Sequence, residues 1–182
     1  LLYVVVFLRP LGRLVAMGTT LLEVERQLRL DGPHPFLAAY VNNRIKELNY
    51  RIYKPVTVRF IDITSFEGIR VYQRTISFIL QKAVRELFPD RTLYIRHSLG
   101  ASGFYCEISG FGPIPAEHLD AIKARMRGII DRNLPIQGVK VLTDTARKIY
   151  EGFGMADKIA LLDSRPRLYS KIYTIDSLPG YF

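Results

Sequence analysis

The chain has one cysteine, three histidines and no tryptophan in 182 residues. A single thiol, Cys106, cannot close an internal disulfide, and unpaired thiols suit a reducing compartment, so a cytoplasmic location is expected. His34, His97 and His118 with that one cysteine leave little from which to build a transition-metal centre, and no metal site is expected. No apolar run approaches the roughly 20 residues needed to cross a bilayer, so no membrane partner is expected. Residues 1–8 are apolar but too few. No basic region precedes them and no small-residue cleavage site follows, so they read as a β-strand entering a turn at Arg9-Pro10-Leu11-Gly12. Phosphate-binding loops are missing as well. Gly152-Phe-Gly154 followed by Lys158 is too loose for a P-loop, and Gly110-Phe-Gly112 runs into Pro113 without a third glycine. The segment itself therefore carries no kinase, GTPase or dehydrogenase site.

What is present describes a folded, basic protein. Apolar residues make up 48% and aromatics 12%, and 26 Lys and Arg against 17 Asp and Glu give a net charge of +9. Such an excess favours polyanions such as RNA, phosphates or acidic protein faces. No dense run of Lys and Arg marks a groove, so a basic but inert surface is an equal reading.

Two modules follow one another without a linker, residues 1–63 and 64–182. The first begins with two strands, 2–8 and 13–17. Thr20-Leu-Leu-Glu23 is a capping-box pattern that opens a helix running through Leu30, with Leu21, Val24 and Leu28 inward and Asp31-Gly32-Pro33 as its stop. β-rich segments at 36–41, 45–52 and 56–63 complete it. Strand, strand, helix and more strands is the order of a β-grasp (ubiquitin-like) fold, and the class expected for the whole chain is α+β. Gly18-Thr-Thr-Leu-Leu-Glu-Val24 followed by Ala38-Ala-Tyr-Val-Asn-Asn43 resembles the TGS domain of threonyl-tRNA synthetases and of some GTPases. A fold of this kind does not by itself specify a function.

In the second module the periodicity predicts a helix over 70–88 with Ile76, Ile79, Leu80, Ala83, Val84 and Leu87 on one face. Arg70, Arg74, Gln81 and Arg85 fall opposite, a basic stripe that reads first as a solvated face. A hairpin is expected from strands 92–99 and 103–109 about Gly100-Ala-Ser-Gly103. With Ala101-Ser102 as a two-residue turn, His97 and Cys106 would be cross-strand partners, most simply a packed pair with an inert sulfur. A helix over 115–132 buries Leu119, Ile122, Met126 and Ile129. A strand at 139–142, a helix from Thr143, a short helix at 156–162 and a strand at 168–175 close the module.

Lys82-Ala-Val-Arg-Glu-Leu-Phe-Pro89 and Gly103-Phe-Tyr-Cys-Glu-Ile108 resemble the second accessory domain of threonyl-tRNA synthetases, which hydrolyses mischarged tRNA. The resemblance implies two helix histidines four residues apart and a late Cys-x-x-x-His. Here the histidine positions fall on Phe78 and Lys82, and the late pair has no counterpart. Phe78 can neither ligate a metal nor activate water, and a protonated Lys82 is no general base near neutral pH. The expectation is a kept scaffold without catalytic residues.

Ala39-Tyr-Val-Asn-Asn-Arg44, Glu47-Leu-Asn-Tyr-Arg-Ile52, Leu93-Tyr-Ile-Arg-His97 and Leu168-Tyr-Ser-Lys-Ile-Tyr-Thr174 carry a further resemblance, to the N-terminal half of bacterial nucleoside kinases of the uridine kinase type. That likeness implies an excised regulatory fragment whose partner is its own C-terminal kinase domain, with ATP and Mg held there and no cofactor here. Phe78, Lys82, His97, Tyr105 and Cys106 would then line a vestigial cleft for a small anionic ligand. The rival expectation is a tRNA- or RNA-binding module using Arg70, Arg74, Arg85, Lys123 and Arg127, without editing activity.

Overall fold

The computed structural model describes residues 2–8, 11–30, 32–100 and 103–180. The expected turns at Arg9-Pro10 and Ala101-Ser102, and Asp31 of the expected helix stop, lie outside these. The fold is mixed α+β, divided into two compact units, Leu1–Thr75 and Ile76–Phe182.

Unit 1 holds β1 (Tyr3–Leu8), β2 (Leu11–Ala16), α1 (Leu21–Gln27), β3 (Ala38–Val41), β4 (Arg44–Lys46) and β5 (Val56–Ile61). The strands form one sheet in the order β2-β1-β5-β3-β4. β1 runs parallel to β5, and the other neighbours are antiparallel. Alternate residues of β1 and β5 (Val4, Val6, Val56, Val58) point to one face, where they bury against Leu21 and Val24 of α1. The expected capping box is formed: Thr20 Oγ1 accepts from the Glu23 N–H, and the Glu23 carboxylate accepts from the Thr20 N–H at 2.7 Å. Removing it with Thr20→Ala should cost about 1 kcal/mol, read as a lower denaturation midpoint. The helix ends before the expected Leu30. Arg29 turns left-handed (φ 47°), and the Leu30 N–H returns to the Glu25 carbonyl at 3.1 Å, a C-terminal cap made by a non-glycine residue. The expected β segment at 45–52 is only β4 over Arg44–Lys46, because the chain turns at Glu47–Tyr50 and then meets Thr20, the N-cap of α1, in an isolated bridge at Arg51.

The long helix α2 (Phe66–Leu87) starts four residues earlier than its periodicity predicts. Ser65 Oγ accepts from the Gly68 N–H at 3.1 Å, and Asp62 Oδ1 holds both Thr64 groups. Tyr40 of β3 hydrogen-bonds Glu67, which raises the phenol above its ordinary value. These ties bind the first turns of α2 to the sheet, so the break between units falls inside the helix at Thr75, whereas composition alone puts the join at residue 63.

Unit 2 contains the rest of α2, the hairpin β6 (Leu93–Leu99) and β7 (Gly103–Ile108), α3 (Ala116–Asp131), β8 (Ile136–Leu142), α4 (Thr143–Gly152), α5 (Ala156–Asp163), β9 (Tyr169–Ile175) and β10 (Leu178–Gly180). β10-β9-β8 form an antiparallel sheet, and β6-β7 pair by themselves. Two clusters share α2. Phe78, Ile79 and Ala83 pack with Ile129, Tyr150, Met155 and Ile172; Val84 packs with Ile108 and Ile122. The buried stripe of α2 is thus wider than expected and includes Phe78. Leu119 is instead exposed, because Phe88, Phe111 and the His118 ring fill that end of the second cluster with ring centroids 5.1–5.3 Å apart.

Candidate functional site

Phe78 and Lys82 lie four residues apart on α2 and so share a face. Both are buried, at 1% and 4% exposure. The Phe78 ring lies against Gly180 of β10, where a Cβ would come within 2.6 Å of the ring. Gly180 is further fixed by the Tyr150 hydroxyl, which donates to its carbonyl at 3.1 Å. The Lys82 ammonium is 2.8 Å from Glu86 Oε1 and 3.3 Å from Asp176 Oδ2. Each carboxylate takes a second cation: Arg125 bonds Glu86, and Arg132 reaches Asp176 at 3.1 Å. The result is a chain of alternating sign, Arg125–Glu86–Lys82–Asp176–Arg132.

Asp176 and Ser177 both turn left-handed (φ 48° and 69°) between the partners Ile175 and Leu178. That is the two-residue hairpin geometry of a primed turn, and it aims Asp176 at α2. Hydrogen bonding and charge from Lys82, then Arg132, hold the Asp176 carboxyl below its ordinary value. For Glu86, burial alone would raise the value, but bonds from Arg125 and Lys82 outweigh it and the net direction is down. Lys82 is therefore a structural cation balanced by two carboxylates.

On the hairpin the register differs from the expected one. Leu99 pairs with Gly103, so three residues rather than two are enclosed, and a bulge follows between Ile95 and His97. His97 consequently faces Tyr105, and Cys106 faces Ile95. The imidazole stacks on the Tyr105 ring at 5.2 Å and 27°. Burial pushes the Cys106 thiol up, away from the thiolate that nucleophilic chemistry requires. The structure gives Lys82 to its carboxylates and His97 to Tyr105, with no described contact joining the two. A cavity of about 30 Å³ beside Arg85, Arg91 and Asp157 has room for a water or two and for nothing the size of a nucleotide. Among the described residues no three His, Cys, Asp or Glu side chains could hold a metal ion, and no helix is long and apolar enough to cross a membrane.

The basic candidates divide. In unit 1, Arg70 and Arg74 are exposed, with Arg70 over the Phe66 ring at 5.5 Å. In unit 2, Lys123 and Arg127 are exposed one turn apart on α3, with Lys123 lightly paired to Asp120 at 3.4 Å. Arg85 is different: it donates to the Phe153 carbonyl and lies over that ring, so it ties α2 to the α4–α5 turn instead of facing solvent. Sequence reasoning missed Asp176, Arg125 and Arg132. Only Glu86 could have been found, from its i, i+4 spacing to Lys82.

Comparison with known proteins gives the site a context. The threonine–tRNA ligase of Desulforamulus reducens is 28% identical over 151 residues, 83% of this chain and 24% of the ligase. That of Clostridium kluyveri is 27% identical over 152 residues, 84% and 24%. That of Symbiobacterium thermophilum is 30% identical over 149 residues, 82% and 23%. The chain is threonine–tRNA-ligase-like over most of its length. It spans about a quarter of the length of these curated relatives. No family model matches it. The relatives point to the synthetase side of the expected resemblances and lend the nucleoside-kinase side no support.

Proposed function

We propose that the chain is a tRNA- or RNA-binding accessory module related to threonine–tRNA ligases, without hydrolytic editing activity. The observation that carries this reading is the similarity to those ligases in a chain with net charge +9. Within it, unit 1 is a β-grasp domain of the TGS type. Its strand order, with β1 and β5 parallel at the centre and α1 across one face, supports that assignment. Unit 2 is the editing-type scaffold with its chemistry replaced. The positions that the resemblance gives to histidines hold a buried phenylalanine and an ammonium neutralised by Glu86 and Asp176. Neither group can bind or activate water for attack on an ester. A nucleoside-kinase parent holding ATP and Mg ranks behind this reading, because no observation of the fold favours it.

The RNA contacts are assigned to Arg70 and Arg74 on unit 1 and to Lys123 and Arg127 on unit 2; Arg85 is withdrawn because Phe153 occupies it. Replacing Lys123 and Arg127 by glutamine should weaken tRNA binding and lower the slope of log K against log salt by about 2, roughly one per lost phosphate contact. Titration at several salt concentrations reads both. An unchanged slope would remove α3 from the interface.

A further inference from the structure

One half of the unit 1 sheet is bare on the side away from α1. β1 and β2 turn Val4, Val6 and Val15 toward the core, so Tyr3, Val5 and Phe7 stand on the opposite face with their partners Ala16, Leu14 and Gly12. Toward β3 that face is closed: Ala38 and Ile61 are buried there, and Tyr40 hydrogen-bonds Glu67 of α2. Over β1 and β2 it is open, with Tyr3 60%, Phe7 48% and Leu14 71% exposed. These three side chains leave roughly 400 Å² of largely apolar surface in water, a size at which contiguous patches mark interaction sites. The patch is also uncharged at neutral pH. β1 carries no acidic or basic residue, and the one cation of β2, Arg13, pairs with Val6 and so lies on the other face. Gly12, opposite Phe7, leaves a notch in the patch where a Cβ would stand 3.4 Å from Val5 and 3.5 Å from Phe7.

We propose that this face is where two copies of the chain meet, sheet against sheet about a two-fold axis. Charge selects the occupant. The chain carries a net +9, so two copies repel wherever their basic surfaces face each other, and an uncharged patch is where they can approach. RNA or an acidic protein face gains no ion pair from a surface without cations. A two-fold axis sets the same patch on both sides, so flat meets flat and apolar meets apolar. Leu14 of one copy, the most exposed of the three side chains, can then seat in the notch at Gly12 of the other. Size agrees with the assignment. Two such faces with their rims bury about 1,000 Å² in total, the lower limit for a specific interface and the class of weak, reversible dimers. Homodimer interfaces are also more apolar than those of transient partners, as this patch is. The proposal goes beyond the RNA-binding reading and does not depend on it.

The test is sedimentation velocity of the full chain from about 1 to 200 μM in about 500 mM salt, where phosphate contacts are screened and bridging by residual RNA is suppressed. A concentration-dependent passage from monomer to dimer is expected. It should strengthen with salt, because the mutual repulsion of the basic chains is screened while the apolar contact is not. Leu14→Asp sets a charge inside the patch and should weaken the dimer about tenfold or more. Tyr3→Ser only trims the patch and should weaken it less. Both residues are exposed, so the urea midpoint of the monomer should hold in each variant. A chain that stays monomeric throughout that range overturns the proposal. So does a dimer that both variants leave intact, which would put the contact on another surface. If the parent stays monomeric but binds phosphatidylcholine vesicles, and Leu14→Asp abolishes that binding, the patch meets lipid and the proposal is likewise overturned.

Discussion

Phe78→Ala is expected to cost about 3–5 kcal/mol, the range for removing a buried aromatic ring from a core that cannot collapse around the gap. The site offers little room for collapse. The ring lies against Gly180, within the cluster of Ile129, Tyr150 and Ile172. The Tyr150–Gly180 hydrogen bond holds the opposite wall in place. Urea denaturation of the full chain should show the midpoint fall with little change in slope. A loss below about 1 kcal/mol would mean that the ring does not fill this space. Phe78 sits where the synthetase resemblance places a histidine, so a large cost would also mean that this position has become core.

The second large effect is at Lys82. Lys82→Ala leaves Glu86 and Asp176 facing each other across a gap. Breaking a fully buried pair costs about 3–5 kcal/mol. Here both carboxylates are partly solvated and each keeps an arginine, so about 2–3 kcal/mol is expected. Lys82→Met, which fills the same volume, should lose clearly less. The pH dependence has a definite sign. Glu86 and Asp176 are held below their unfolded values, so the stability they contribute is present above about pH 4 and is lost as pH falls through the lowered folded values. The gap between parent and Lys82→Ala should therefore narrow in acid. Denaturation curves at neutral pH and near pH 3 would show it. A constant gap would mean that the carboxylates do not hold Lys82.

Features set by local spacing are legible in this sequence, and those set by distant partners are not. The Thr20–Glu23 box, α2, the hairpin and the run of helices and strands after Pro115 all follow from spacings within one or two turns. What failed depended on partners elsewhere in the chain. Nothing near Lys82 announces Asp176, whose position depends on a two-residue turn of non-glycine residues at the far end of unit 2. The three-residue β10 (Leu178–Gly180) contains a proline and gives no strand pattern of its own, yet it forms the wall against Phe78. The His97 pairing differs by one residue because the loop encloses a third residue, and a bulge beyond His97 then sets Cys106 opposite Ile95; period-two patterns record neither. By spacing Arg85 belongs with its neighbours on the polar face, but its partner, the Phe153 carbonyl, lies 68 residues away in the chain. The candidate interface was thus legible as charge, but which arginines face solvent was not.

RNA binding through a basic surface, on a scaffold without hydrolytic chemistry, is the function proposed for this chain. Titrating unmodified tRNA against the full chain between about 50 and 200 mM salt tests it most directly. Retention at the low end and a steep, linear loss in log K as salt rises are expected. Absence of retention at 50 mM, or an affinity indifferent to salt, would contradict it.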